Sequence, residues 1–148
     1  MRAGTATDTE ITASLLTRAS ALVPHLKARA VDTERASRVA PEGSDELAEL
    51  GALKMCAPKK YGGDELDFQS QVDVLAEIAR GCPSTSWVAT ILSAMAWMAA
   101  TFPDEVQDEV LGDGDPRVGG ALAPTGTLTA AKGGYLLERT VKISPAKG

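Results

Sequence analysis

Apolar side chains return every three or four residues through most of this chain, the spacing that lines one face of a helix. Ile11, Leu15, Ala19, Leu22 and Leu26 define a first helix from about Asp8. Pro24 interrupts the pattern and is expected to kink or break it, because proline lacks the donor for the i−4 carbonyl. Pro41-Glu42-Gly43 breaks the chain. A short helix follows, with Ser44 as expected N-cap, Leu47 and Leu50 inside, and Gly51 as its stop. Phe68, Val72, Leu75 and Ala79 mark the inner face of another amphipathic helix, stopped by Gly81. From 81 to 100 the chain reads GCPSTSWVATILSAMAWMAA, its most apolar run. Pro83 and Ser84 suit its first turn. With Trp87, Val88, Ile91, Leu92, Met95 and Met98 on some faces and alanines on the rest, it predicts a central helix buried on most sides. Pro103 opens a last helix, with Asp104 and Glu105 in its first turn and Val106, Val110 and Leu111 as its inner side.

The periodicity changes after Gly112. Gly112 to Pro116, GDGDP, reads as a linker. Asp113 and Asp115 alternate as in a calcium loop, but the third acidic position, the glycine and the closing glutamate are absent. Residues 118–123 predict a strand, 124–126 a turn, Lys132-Gly133-Gly134 a hairpin turn, and 135–143 a second strand. The fold class is therefore mainly α: a frayed stretch at 1–8, a helical domain at 9–112, and the start of a β-domain at 117–148. Two or three strands alone are marginal in water and leave open edges. The chain thus reads as stopping soon after a β-domain begins.

Composition narrows the function. The chain has 148 residues, a net charge of −5 and 44% hydrophobic residues. That is a globular balance with no basic face for nucleic acid or an acidic membrane. The apolar run could just span a bilayer by length, but five serines and threonines dilute it and an acidic chain surrounds it. Cys56 and Cys82 have no CxxC or histidine neighbour, so no metal site is expected, and their isolation suits a reduced cytoplasmic protein. His25, the single histidine, sits beside Pro24 and fits a surface position better than a catalytic one. The Gly62-Gly63 pair next to Lys59 and Lys60 invites a phosphate-loop reading, but no Lys-Ser/Thr follows it, and a turn between helices fits better. No catalytic residue is read from these patterns.

Four segments carry a resemblance. They are LAELGALKMCAPKKYGG (47–63), CPSTSWVA (82–89), FPDEVQDEVLG (102–112), and ALAPTG (121–126) with GGYLL (133–137). In this order and spacing the chain resembles the N-terminal part of the acyl-CoA dehydrogenase fold, and within it the oxygenase components of two-component flavin-dependent monooxygenases. Trp87 favours that branch. The resemblance implies hydroxylation of an aromatic, steroid-like or polyketide substrate with O2 and reduced FMN (or FAD) delivered by a separate flavin reductase. It implies a homo-oligomer at full length. Carried over by position, Trp87 would border the flavin, Gly120, Ala121 and Leu122 would line it, and Ile143 and Ser144 would reach its ring. Arg139-Thr140-Val141 and Pro145-Ala146 depart from the family's pattern, as a disrupted reading frame after about Leu137 would produce. The family's catalytic histidine and C-terminal helical bundle would lie beyond this sequence. The chain alone is therefore expected not to turn over. The alternatives are a partial acyl-CoA dehydrogenase oxidising a thioester with FAD, or a non-catalytic truncated remnant or interaction module.

Overall fold

The computed structural model describes residues 7–114, 117–120 and 126–139. Five helices come first: α1 (Asp8–Ala36), α2 (Pro41–Leu50), α3 (Phe68–Gly81), α4 (Pro83–Ala99) and α5 (Asp104–Leu111). Two short 3-10 turns, Ala52–Lys54 and Lys59–Tyr61, lie between α2 and α3. A two-stranded antiparallel hairpin, β1 (Gly126–Ala131) and β2 (Gly134–Arg139), follows.

α1 starts on a capping box. The Glu10 amide donates to Thr7 Oγ1 (3.3 Å) and the Thr7 amide donates back to Glu10 Oε2 (2.8 Å), so two free donors of the first turn are satisfied together. The helix then runs 29 residues without a break at Pro24. The expected interruption fails because the flanking residues hold the helix: Val23 and Leu26 are buried on either side of an exposed proline. Leu15, Ala19, Val23 and Leu26 form the inner stripe. They pack on α3, whose inner residues are Val74, Ile78 and Gly81. That is a rotation from the expected face: Phe68 and Val72 of α3 are exposed, and Leu75 and Ala79 are only half-buried. Gly81 lets the two helices approach, since a Cβ there would stand 2.7 Å from Leu26 Cβ.

α2 begins three residues before the expected cap. Ala40 precedes it, Pro41 occupies the first turn, and Ser44 lies inside the helix. Proline's fixed φ and missing donor suit that position, so no side-chain cap is used. Gly51 closes α2 at φ 91, as its sequence position predicts. The chain between 55 and 67 folds back on itself. Leu66 N donates to Met55 O (2.9 Å) and Asp64 N to Lys54 O (3.0 Å). Gly62 takes a φ of 78, and Gly63 passes so close to Ala57 that a Cβ would lie 2.0 Å from its carbonyl oxygen. Both glycine amides donate within the loop, to Lys59 O and Pro58 O. They make a turn, and no anion cradle remains.

α4 departs most from its sequence reading. Its packed face carries small and hydroxyl residues: Thr85, Ser86, Ala89, Ser93, Ala96 and Ala99, with Met95 beside them. Ser93 Oγ donates to Ala52 O and Ser86 Oγ to Leu75 O, each at 2.8 Å. These bonds fasten α4 to the first 3-10 turn and to α3. The largest side chains point away: Trp87 is 65% and Trp97 58% exposed. α5 is likewise turned. Gln107, not Val106 or Val110, is buried with Leu111. Gln107 Nε2 donates to Ala100 O (3.1 Å) and Phe102 O (2.6 Å), taking up carbonyls that the end of α4 leaves unpaired.

The hairpin pairs Leu128 with Leu137 and Ala131 with Gly134. Lys132-Gly133 is its two-residue turn, with Gly133 at φ 85, the backbone such turns require. Its described side chains are all exposed. Residues 118–120 are not a strand. Arg117 instead pairs with Asp45 at 2.8 Å, and Gly120 lies against Met95 of α4. The rest of the two expected strands, 121–123 and 140–143, lies outside the described residues.

Candidate functional site

The outward face of α4 carries Trp87, the first of the expected flavin contacts, 65% exposed. Trp87 stands one turn into the helix, its indole over a cleft of about 490 Å³. The opposite wall is the end of α1, with Thr33, Ser37 and Arg38. Ser37 takes φ 51 where α1 stops, which turns the chain toward the start of α4. Arg38 makes no ion pair among the described residues. The cleft therefore offers a flat indole, one free guanidinium and the Ser84 hydroxyl at a helix N-terminus.

Gly120 also reaches α4, but at Met95. A Cβ would lie 2.4 Å from the Met95 sulfur, so a larger residue there would push the Met95 side chain aside. Eight residues separate Met95 from Trp87, about 12 Å along the axis. Ala121, Leu122, Ile143 and Ser144, the other expected flavin contacts, lie outside the described residues.

A second and larger concavity, about 670 Å³, opens between the start of α3 and the end of α4. Phe68, Trp97, Ala94 and Ala100 are among the residues that line it. Sequence reasoning assigned Phe68 to the core and gave Trp97 no role. The available signal was that α4 carries too many large residues for one packed face. At the edge of this groove the Cys56 thiol donates to Gln71 Oε1 (3.0 Å), while Gln71 Nε2 donates to Leu66 O (2.6 Å). Burial pushes the Cys56 thiol up to about 11, so it is no nucleophile at neutral pH. Cys82 is buried and unpaired.

Two polar ties fix the 58–63 loop to α5. Lys60 Nζ donates to Asp104 Oδ1 (2.6 Å) and Tyr61 Oη to Asp108 Oδ1 (2.5 Å). The Asp104 bond holds the Lys60 ammonium above its usual range; desolvation, and then the Asp108 bond, raises Tyr61. His25 lies exposed on α1, in a shallow depression with Arg18, Glu46 and Glu49. Among the described residues no cluster of three His, Cys, Asp or Glu side chains is placed to hold a metal, and no helix is long and apolar enough to cross a membrane.

The family model for the acyl-CoA dehydrogenase N-terminal domain matches residues 14–112, the whole set of helices after the first turns of α1. The chain belongs to the acyl-CoA dehydrogenase N-terminal domain family. Its fold is that family's helical domain followed by a short antiparallel sheet. Among relatives of this acyl-CoA dehydrogenase-type chain is the flavin-dependent monooxygenase oxygenase subunit HsaA of Rhodococcus jostii. It is 33% identical over 82% of this chain and 32% of its own. The oxygenase component of an FADH(2)-dependent resorcinol hydroxylase from a Rhizobium species is 34% identical over 84% of this chain and 31% of its own. Among solved structures, XiaF from a Streptomyces species, in complex with FADH2 and glycerol, superposes with a TM-score of 0.81 at 29% identity, covering 88% of this chain and 33% of that one. The HsaA monooxygenase of M. tuberculosis gives 0.77 at 30% identity, over 85% of this chain and 35% of that one. The chain thus spans about a third of the length of the relatives it matches.

Proposed function

We propose that this chain is the N-terminal portion of a flavin-dependent monooxygenase oxygenase component. In this reading 9–112 is its helical domain and 117–148 the beginning of its β-domain. The observation that carries the reading is the relatives' shared character: HsaA, the resorcinol hydroxylase and p-hydroxyphenylacetate 3-hydroxylase are all named as oxygenase subunits or components. The whole protein would hydroxylate an aromatic, steroid-like or polyketide substrate with O2 and reduced FMN or FAD. A partner reductase would supply the flavin in the cytoplasm, and the assembly would be a homo-oligomer.

The residues present fit one side of a flavin. Trp87 gives a planar apolar wall that excludes water, as a flavin ring requires. Arg38, across the same cleft, is placed to pair with a phosphate. Gly120, with Ala121 and Leu122, would bring main-chain groups along α4, and Ile143 and Ser144 would add an apolar contact and a hydroxyl. Bound flavin supplies the oxygen activation; these side chains bind, orient and shield.

The test is an anaerobic titration of 5-fluorotryptophan-labelled chain with reduced FMN and FAD, read by fluorine NMR. The two tryptophans give two resonances, assigned with Trp87→Phe and Trp97→Phe. A saturable shift at Trp87, weaker in Arg38→Ala, is expected in the micromolar to sub-millimolar range, about −8 to −5 kcal/mol. A Trp87 resonance unmoved by either flavin would refute the assignment of this cleft.

A further inference from the structure

We infer that the cavity between the end of α1, the start of α2 and the first turn of α4 binds a small carboxylate with a compact apolar body. This binding goes beyond the flavin reading and does not depend on it.

Thr85 carries the inference. It is 2% exposed, yet its hydroxyl makes no hydrogen bond among the described residues. The other buried hydroxyls of α4, on Ser86 and Ser93, each donate to a carbonyl of a neighbouring element. Among the described residues no fully enclosed polar side-chain atom lacks a partner. The Thr85 oxygen therefore borders open space, and the cavity that Thr85 lines, about 260 Å³, is that space. A hydroxyl buried without a partner is a cost to stability that valine would avoid. The fold gives no use for it; a ligand would.

The surroundings of Thr85 specify the ligand. Thr85 is the third residue of α4, and the residue before the helix, Cys82, gives no side-chain cap. The Ser86 amide donates to Cys82 O (3.1 Å), but the Thr85 amide donates to no carbonyl among the described residues. This helix start thus holds spare donors and the positive end of the helix dipole. Arg29 and Arg38 line the same cavity against one acid, Asp32. Asp32 lies beside Arg35 at 3.9 Å with its side chain 80% exposed, and Arg29 is paired with Glu46. Arg38 is left as a spare cation. A carboxylate can accept from hydroxyl, amide and guanidinium together, whereas an ammonium would meet donors alone.

The remaining wall is apolar, with Leu26, Val39 and Pro41, and Leu26 is 3% exposed. The volume lies below the range of sites for drug-sized ligands, so a single ring or a short branched chain suits it and a flavin does not. Thr33, Arg38 and Val39 also border the Trp87 cleft, but Thr85, Leu26 and Pro41 line this cavity and not that one.

The experiment titrates the full chain, by calorimetry, with benzoate and with benzyl alcohol, a similar ring without the charge. Expected is saturable benzoate binding, with benzyl alcohol at least about tenfold weaker. Thr85→Val keeps the shape and removes the hydroxyl. It should weaken benzoate about tenfold while the melting temperature holds or rises. Thr85→Ser, which restores a hydroxyl, should bring benzoate affinity back to within about threefold. Ala36→Leu alters an exposed residue that lines this cavity and not the Trp87 cleft, and should also weaken benzoate without touching the core. Absence of benzoate binding, equal binding of the two probes, or full affinity in Thr85→Val or Ala36→Leu would each overturn the inference. So would a lowered melting temperature in Thr85→Val, which would give the hydroxyl to the fold. The flavin reading is tested at Trp87, which does not line this cavity, so either reading can fail alone.

Discussion

The seam between α1 and α3 and the outward face of α4 contain equally hydrophobic residues that the fold treats in opposite ways. In the seam, Leu15, Ala19, Val74 and Ile78 are fully buried. On the outward face, Trp87 and Trp97 stay mostly in solvent while α4 turns its serines and alanines inward. The small inner face has a physical cause. Ser86 and Ser93 each reach a carbonyl of a neighbouring element, which requires α4 to sit close, and a large side chain there would hold it off. Apolarity along α4 therefore marks a surface used for something else, and the seam alone is the core.

The strongest way to break this comparison is to truncate the seam. Ile78→Ala and Leu15→Ala each remove a fully enclosed side chain and should cost about 2–5 kcal/mol in urea unfolding. Losses below about 1 kcal/mol would mean that stability resides elsewhere. Gly81→Ala probes the same seam from the other direction. Its new Cβ would crowd Leu26 Cβ at 2.7 Å and Val23 O at 3.0 Å, and the helices should separate at a cost of about 1–3 kcal/mol. If the variant unfolds at the parent's midpoint, the close approach is not needed.

The polar fastening of α4 is the next, smaller test. Ser93→Ala removes the donor to Ala52 O, leaving a buried carbonyl without its partner, worth about 1–2 kcal/mol. Gln107→Leu should do at least as much, since two carbonyls lose their donor together. Equality of either variant with the parent would show that water replaces these bonds and that the inner face of α4 is held by packing alone.

The sequence pattern located the five α-helices of the described residues and the hairpin turn, because periodicity, prolines and glycines act locally. It placed α1's inner stripe and the Gly51 and Gly62-Gly63 turns nearly as found. It misjudged which face of α3 is packed, and it misjudged α4 and α5 for a common reason. Counting apolar residues assumes that the largest go inside, yet Ser86, Ser93 and Gln107 are drawn in by carbonyls on other elements that no local pattern reveals. The candidate site was half legible. Trp87 was visible through the resemblance, but the groove of Phe68 and Trp97 joins residues 29 positions apart in the chain, and only the helix packing brings them together.

Cys56 lies on the boundary of the two regions, and its titration measures how dry that boundary is. Its folded value, about 11, stands above the ordinary thiol value of 9.0 because burial disfavours the thiolate. The protonated thiol is thus the form that the fold favours. This contribution to stability is fully present below pH 9 and is lost as pH rises through 11. Maleimide labelling of Cys56 should be slow at pH 8 and accelerate only toward pH 11, while Cys82, fully enclosed, stays unlabelled until unfolding. Labelling of Cys56 at the rate of a free thiol at pH 8 would show that water enters between α3 and the 55–67 loop.

The smallest stability effect is expected where the hydrophobic side chains are largest. Trp87→Gln and Trp97→Gln remove the two biggest residues of α4, and a rule based on residue type alone would rank them with Ile78. Exposure ranks them far lower. Each indole has most of its surface in water already, so little apolar area is lost, and the cost should be no more than about 1 kcal/mol. The same substitutions should weaken concentration-dependent self-association in sedimentation, because they remove the exposed aromatic patches that drive it. A loss comparable to that of Ile78→Ala would make the outward face of α4 part of the core after all, and the division between core and ligand-facing surface would fall with it.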